Sequence, residues 1–256
     1  MIKREKYCSV LVKVLLFSAL LWGGMAFASS SQETVPLLWG EDIPGVMTHF
    51  NTREPVLALT LDACGGKRGS GFDKKLITWL KKHNIPATLF LTGRWIDANK
   101  KHAQELASCS LFEIENHGMN HRPCSVSGRL AYGIPGTKNV SEVINEVQDG
   151  ADTIKEIIDR KTRFFRSGTN YYDEIAIATI EKLGYNAVGY SIAGDEGATL
   201  SKEAIIIKLL KAKPGDIILC HMNHPESDTA EGLIEVIPIL QERGFRFVTL
   251  KEYPLQ

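Results

Sequence analysis

His117 and His121 stand four residues apart, just after the apolar run Leu111-Phe112-Glu113-Ile114. On a helical turn that spacing places both rings on one face, roughly 5–6 Å apart at Cβ. Two neutral imidazoles so arranged can grip one divalent ion, with Zn–N near ~2.0–2.1 Å. The same spacing is common on solvated surfaces, so its place in the fold decides its meaning. Four other chemically capable residues sit where an apolar run ends. Asp62 closes 56–61, Arg166 closes 163–165, His221 closes 216–220, and Asp195 lies shortly beyond 186–191. If those runs are parallel strands of one sheet, their ends are spatial neighbours. A carboxylate, an imidazole pair, a guanidinium and a further histidine at one rim would make a hydrolytic constellation.

The elements needed to hold such a rim can be read from periodicity. Residues 56–62, 87–91, 111–116, 163–166, 186–191, 216–220 and 245–250 are short continuous apolar runs, expected as seven strands. Helical patterns alternate with them over 72–83, 95–107, 140–159, 173–183, 201–211 and 229–243, with Ser141 and Ser201 expected as N-caps and Gly184 as a stop. Strands that are apolar on both faces and alternate with helices belong to a buried parallel sheet. There is no GxGxxG after the first strand, and polar residues gather at several strand ends. The expected fold class is therefore α/β, a distorted (β/α) barrel with seven or eight mainly parallel strands, rather than an open doubly wound sheet. The loop 122–138, rich in Gly, Ser and Pro, is expected to border the rim.

The first residues read differently. Lys3, Arg4 and Lys6 precede an uncharged apolar stretch from Val14 to Ala28 that ends in Ala26-Phe27-Ala28, a small-x-small cleavage pattern. The stretch is short against the about 20 residues of a membrane span. The expected organisation is a signal peptide over 1–28, a polar lead-in over 29–54 and a single domain over 55–256. The chain would then be exported, periplasmic or secreted, with no membrane span after cleavage. Without residues 1–28 the chain carries 26 basic and 29 acidic residues, a net charge of −3. No basic stripe argues for nucleic acid, and a near-neutral surface suits an uncharged polymer. Cys64, Cys109, Cys124 and Cys220 remain, none in a CxxC pair. In an oxidising compartment one or two disulfides are expected, with three connectivities open if all four pair and a bridge bracing the rim favoured over a cysteine nucleophile.

With these residues in place, the chain resembles the polysaccharide deacetylases of the NodB-homology type, carbohydrate esterase family 4, over roughly residues 55–250. The family's Thr-Phe-Asp-Asp-Gly motif corresponds to Thr60-Leu61-Asp62-Ala63-Cys64-Gly65, and its His-x-x-x-His motif to His117–His121. The Arg motif is similar to Phe165-Arg166-Ser167-Gly168, the Asp motif to Gly194-Asp195, and Leu-x-His to Leu219-Cys220-His221. The resemblance implies a metal-dependent hydrolase, with Zn²⁺ and alternatively Co²⁺ or Ni²⁺, that removes acetyl from an N-acetylated polysaccharide or oligosaccharide. It implies Asp62 as the base, His221 as the acid, Arg166 as the group that orients Asp62, and Asp195 as a tether for Arg166. It also implies His117 and His121 as metal ligands and Leu219 as part of the acetyl-methyl pocket. Tyr171 and Tyr172, next to Arg166, are expected to contact sugar, whereas Tyr190 is expected in the core.

One position departs from the family: its second Asp, a metal ligand, is Ala63 here. Catalytic zinc normally has three protein ligands. Asp62 could join the two histidines, Asp195 could swing in, or Cys64 could serve if the strand persists through residue 64. The reading favours Asp62 or Asp195, because a lone thiolate outside the cytoplasm is open to oxidation. Two other functions stay open: a catalytically silent glycan-binding protein, and an amidase acting on a small non-sugar substrate.

Overall fold

The computed structural model describes residues 35–256; the expected signal peptide lies outside the described residues. The strands are β1 Val46–Met47, β2 Val56–Ala63, β3 Ala87–Leu91, β4 Phe112–Asn116, β5 Leu130–Ala131, β6 Ile134–Pro135, β7 Phe164–Phe165, β8 Asn186–Val188, β9 Ile192–Ala193, β10 Ile217–His221 and β11 Arg246–Val248. The helices are α1 Lys74–Lys82, α2 Gly93–Ala98, α3 Lys100–Ala107, α4 Val140–Lys155, α5 Glu174–Lys182, α6 Lys202–Leu209 and α7 Thr229–Glu242. Nine strands form one sheet in the order β1-β8-β7-β4-β3-β2-β10-β9, with β11 added on β2, and every pairing in it is parallel. The sheet is the curled half-barrel with surrounding helices that the apolar runs imply, and all seven expected strands are in it.

Alternation along β2 divides the interior into two cores. Leu57, Leu59, Leu61 and Ala63 face outward and pack with Leu76, Leu80, Leu233 and Ile237 from α1 and α7. Val56 and Ala58 face inward, among Phe90, Phe164, Val188 and Ile217. Thr60 and Asp62 continue that inner face towards the rim and are also buried. Truncating a core residue such as Leu59 to Ala would cost about 2–5 kcal/mol, so β2 is a rigid platform for the carboxylate at its end.

Four local expectations change. The helix expected over 95–107 is two helices, broken at Asn99 (φ −131°, ψ 34°), whose side-chain amide donates to the carbonyls of Ser70 and Trp95 at 3.1 Å each. The N-cap of α4 is Asn139, not Ser141: its Oδ1 accepts from Glu142 N at 2.9 Å. The run 186–191 is interrupted after Val188. Its first part pairs with β7 and β1 on one flank of the sheet, and beyond three intervening residues β9 pairs with β10 on the other. The sheet therefore closes on itself through the covalent chain at Gly189-Tyr190-Ser191. The expected disulfides are absent: Cys64, Cys109, Cys124 and Cys220 are all free. Cys220 lies in the outer core and Cys124 in a separate cluster with Val143, Tyr172 and Ile177, so the two buried thiols serve as small apolar fillers.

Candidate active site

The ends of β2, β4, β7 and β10 converge on a cavity of about 800 Å³. Asp62, Cys64, His121, Leu219 and His221 line it. Asp62 and His221 are register partners on the adjacent strands β2 and β10, so a potential base and a potential acid face the cavity side by side.

Arg166 lies fully buried behind Asp62. Its Nη1 donates to Asp62 Oδ1 at 2.7 Å and to Thr60 Oγ1 at 2.9 Å. Its Nε and Nη2 donate to the carbonyls of Val188 and Gly189 at 3.2 and 2.7 Å. The guanidinium carbon lies 4.2 Å from the centroid of the Phe90 ring, a cation–π contact. The kink that closes the sheet leaves Val188 and Gly189 carbonyls to be satisfied, and a planar fork of five donors meets them and Asp62 at once.

Asp195 does not tether Arg166. Its Oδ1 lies 2.9 Å from His221 Nδ1, while Oδ2 accepts from His221 N at 2.7 Å and Thr229 Oγ1 at 2.9 Å. Both oxygens are thereby engaged, which also removes Asp195 as a third metal ligand. Burial opposes charge on His221, but the adjacent Asp195 carboxylate outweighs it and lifts the imidazole well above its ordinary value. Burial likewise opposes charge on Asp195, and His221 holds it below the usual carboxylate value.

The histidine pair follows β4. His117 Nδ1 lies 2.8 Å from the Arg166 carbonyl, which can only accept, so Nδ1 carries a proton and Nε2 is the nitrogen left for a metal when the ring is neutral. That Nε2 lies 3.5 Å from Asp62 Oδ2 and 4.0 Å from Cys64 Sγ. The two imidazole rings meet edge-on, centroids 4.8 Å apart. The pair is not on a helix: Gly118 and His121 have φ of +80° and +58°. A non-glycine residue in that region is strained and persists where its surroundings over-determine it. Here Glu146 of α4 does so. Its Oε1 accepts from Asn120 N at 2.8 Å and Arg122 N at 3.1 Å, and a Cβ on Gly118 would fall 2.4 Å from that same oxygen. Burial raises the Glu146 carboxyl pKa, against those two backbone bonds.

Cys64, His117 and His121 offer one sulfur and two nitrogens that all lie within 4.8 Å of one another. Soft thiolate and imidazole donors suit Zn²⁺ or Co²⁺, and the fixed His117 tautomer leaves the correct nitrogen free, so these residues fit a divalent transition ion. Burial opposes ionisation of the Cys64 thiol. The charge of His121, with hydrogen bonds from His117, His121 and His221, more than offsets this and leaves the thiol well below its ordinary value.

The aromatic expectations divide. Tyr172 is fully buried, its hydroxyl accepting from Ser167 N at 2.8 Å, and so is not placed to touch a substrate. Adjacent residues of an extended segment point opposite ways, so one of the two tyrosines had to face inward. Tyr171 is the outward one and sits 5.5 Å from Trp39 and 5.6 Å from Tyr132, centroid to centroid. Tyr190 lines the cavity instead of lying wholly in the core, and its hydroxyl donates to Glu41. Glu41, Arg94, Tyr132 and Glu146 were not expected at the site. Glu41 lies in the polar lead-in, Tyr132 on the β5–β6 hairpin, and the other two within helices, where sequence marks them as ordinary surface charges.

The sequence profile described as polysaccharide deacetylase matches residues 49–188. A peptidoglycan-N-acetylglucosamine deacetylase of Bacillus cereus is 26% identical over 203 residues, which cover 78% of this chain and 88% of that one. A CE4 family pseudoenzyme of Bacillus anthracis superposes with a TM-score of 0.69 at 21% identity, covering 83% of this chain and 69% of the other. A family 4 acetyl xylan esterase of Clostridium thermocellum, solved with a cobalt ion, superposes at 0.62 with 24% identity, covering 77% and 89%. The chain belongs to the polysaccharide deacetylase family, and the expectation of an enzyme of that class stands.

Proposed function

We propose that this protein is a metal-dependent hydrolase that removes N-acetyl groups from an N-acetylated glycan outside the cytoplasm, of peptidoglycan, chitin or poly-N-acetylglucosamine type. The observation that carries the reading is the register pairing of Asp62 with His221 over one cavity beside the His117/His121 pair. Asp62, fixed by Arg166, takes a proton from the attacking water as its oxygen adds to the acetyl carbonyl carbon. His221, held protonated by Asp195, gives its proton to the sugar nitrogen as the C–N bond breaks. The products are acetate and a free amine. A bound Zn²⁺, or alternatively Co²⁺ or Ni²⁺, supplies Lewis acidity to the water and the carbonyl. His117 and His121 hold it, Leu219 packs the acetyl methyl, and the Trp39–Tyr132–Tyr171 cluster offers faces on which a sugar can stack. The relative named for peptidoglycan N-acetylglucosamine supports the substrate class. Residues 1–28 would direct export, and no described helix is long and apolar enough to cross a membrane.

Acetate release from those three glycan classes tests the reading. Release that a chelator abolishes and added metal restores is the expected result. Absence of acetate from every glycan, with binding to one of them retained, would favour a silent binding protein, the reading kept open by Ala63 in place of an acid.

A further inference from the structure

We propose that Cys64 is the third protein ligand of the metal, so that this chain carries a Cys-His-His centre. The proposal rests on the deacetylase reading only in taking the histidine pair to hold a metal.

The position where the family has its second acid is not vacant in the site; it faces elsewhere. The Ala63 side chain packs in the outer core with Leu57, Leu59 and Leu61. β2 runs through Ala63, so the next residue returns to the face that bears Asp62. That residue is Cys64, which lines the cavity. Its backbone is fixed as if its direction mattered. The Cys64 carbonyl accepts from Arg94 Nε at 2.8 Å and Thr92 Oγ1 at 3.0 Å. The chain then turns away through Gly65 (φ +71°), where a Cβ would meet Arg94 Cγ at 2.7 Å.

The sulfur thus points at the two imidazoles, 4.0 Å from His117 Nε2. Zn–S bonds of about 2.3 Å and Zn–N bonds of about 2.0 Å bridge such a separation after a small contraction. The competing carboxylates have other partners. Asp195 is used by His221 and Thr229. Asp62 Oδ1 is held by Arg166, and although its Oδ2 lies 3.5 Å from His117 Nε2, the donors that all lie within 4.8 Å of one another are those of Cys64, His117 and His121, not Asp62. A thiolate ligand also leaves Asp62 free to act as the base.

The test is to strip the full-length protein with chelator and titrate it with Co²⁺ under reductant. The expected result is one equivalent bound, with a thiolate-to-cobalt charge-transfer band growing in the near ultraviolet to saturation. Cys64→Ser should lose that band. Because loss of an outer partner of a ligand alone weakens metal binding about 10–100-fold, this variant should bind more weakly by at least that much. Cys64→Asp should bind cobalt with no band, which guards against a fold lost in the serine variant; circular dichroism checks both. One equivalent of cobalt bound without a thiolate band overturns the proposal, as do a band that persists in Cys64→Ser, no cobalt binding at all, or an acetyl thioester trapped on Cys64 in metal-free protein. Acetate release by a cobalt protein that lacks the band removes Cys64 and leaves the deacetylase reading. The band without acetate release from any glycan does the reverse.

Discussion

The two walls of the cavity solve opposite problems with the same device. On one wall a carboxylate, Asp62, faces the open space and a buried cation, Arg166, stands behind it. On the other an imidazole, His221, faces the space and a buried carboxylate, Asp195, stands behind it. In each pair the rear group fixes the direction of the front one, and Asp195 also keeps His221 protonated. The difference lies in what else the rear group does. Arg166 also satisfies the backbone at the sheet's closing kink, whereas Asp195 is bound only to His221 and Thr229. One wall is continuous with the fold and the other is a local arrangement.

The comparison breaks most sharply at its front groups. Asp62→Asn should lower acetate release roughly 10²–10⁴-fold, the usual worth of a general base, with metal content unchanged. A near-normal rate would place the base elsewhere. Arg166→Lys should then show that the first wall is structural. One ammonium cannot span four bonds, and a loss of about 2–4 kcal/mol in denaturant unfolding is expected along with the loss of activity. A variant as stable as the parent would separate Arg166 from sheet closure.

Asp195→Asn should act mainly through pH. His221 is raised by Asp195, so its acid form survives to higher pH in the parent. Removing the carboxylate lowers the imidazole pKa, and the alkaline limb of the pH–rate profile should move to lower pH. The same linkage sets stability. The His221 contribution is fully present below its unfolded value of about 6.5 and is lost as pH rises through its folded value. The Asp195 contribution is present above about 3.9 and is lost as pH falls through its depressed folded value. The stability gap between parent and variant should therefore be widest between those limits, and a gap independent of pH would contradict the pairing. The smallest effect is expected from Glu146→Gln, which keeps one acceptor for the Asn120 and Arg122 amides. Metal affinity should fall by about tenfold with the pH profile unmoved.

Most strands were legible as apolar runs, although β4 alternates Phe112 and Ile114 with the buried Glu113 and Glu115, and strand ends led directly to Asp62, His117, His121, Arg166 and His221. Partnerships were less legible. Asp195 and Arg166 both border the site, and only the path of the loop after β9 decides that the carboxylate meets His221. Tyr171 and Tyr172 look equivalent in sequence, and their opposite fates depend on which of the two faces inward. The break at Asn99 arises from an amide that bonds across to the Ser70 carbonyl, a tertiary contact that no helical periodicity records. Cys64 was visible as a residue two beyond Asp62, but its direction required knowing that β2 continues through Ala63. Glu146 was hidden most deeply: a helix glutamate normally meets water, and this one is buried against the His117–His121 turn.

The kink at Gly189-Tyr190-Ser191 bears on how members of this architecture lose activity. A descendant that abandoned catalysis would still need a guanidinium at 166 to close its sheet, and an acid at 62 to balance that buried charge. Neither residue is then a reporter of turnover. His121, whose ring meets the cavity and closes nothing, is free to drift once metal is no longer selected, and its replacement is the mark to seek in a silent relative.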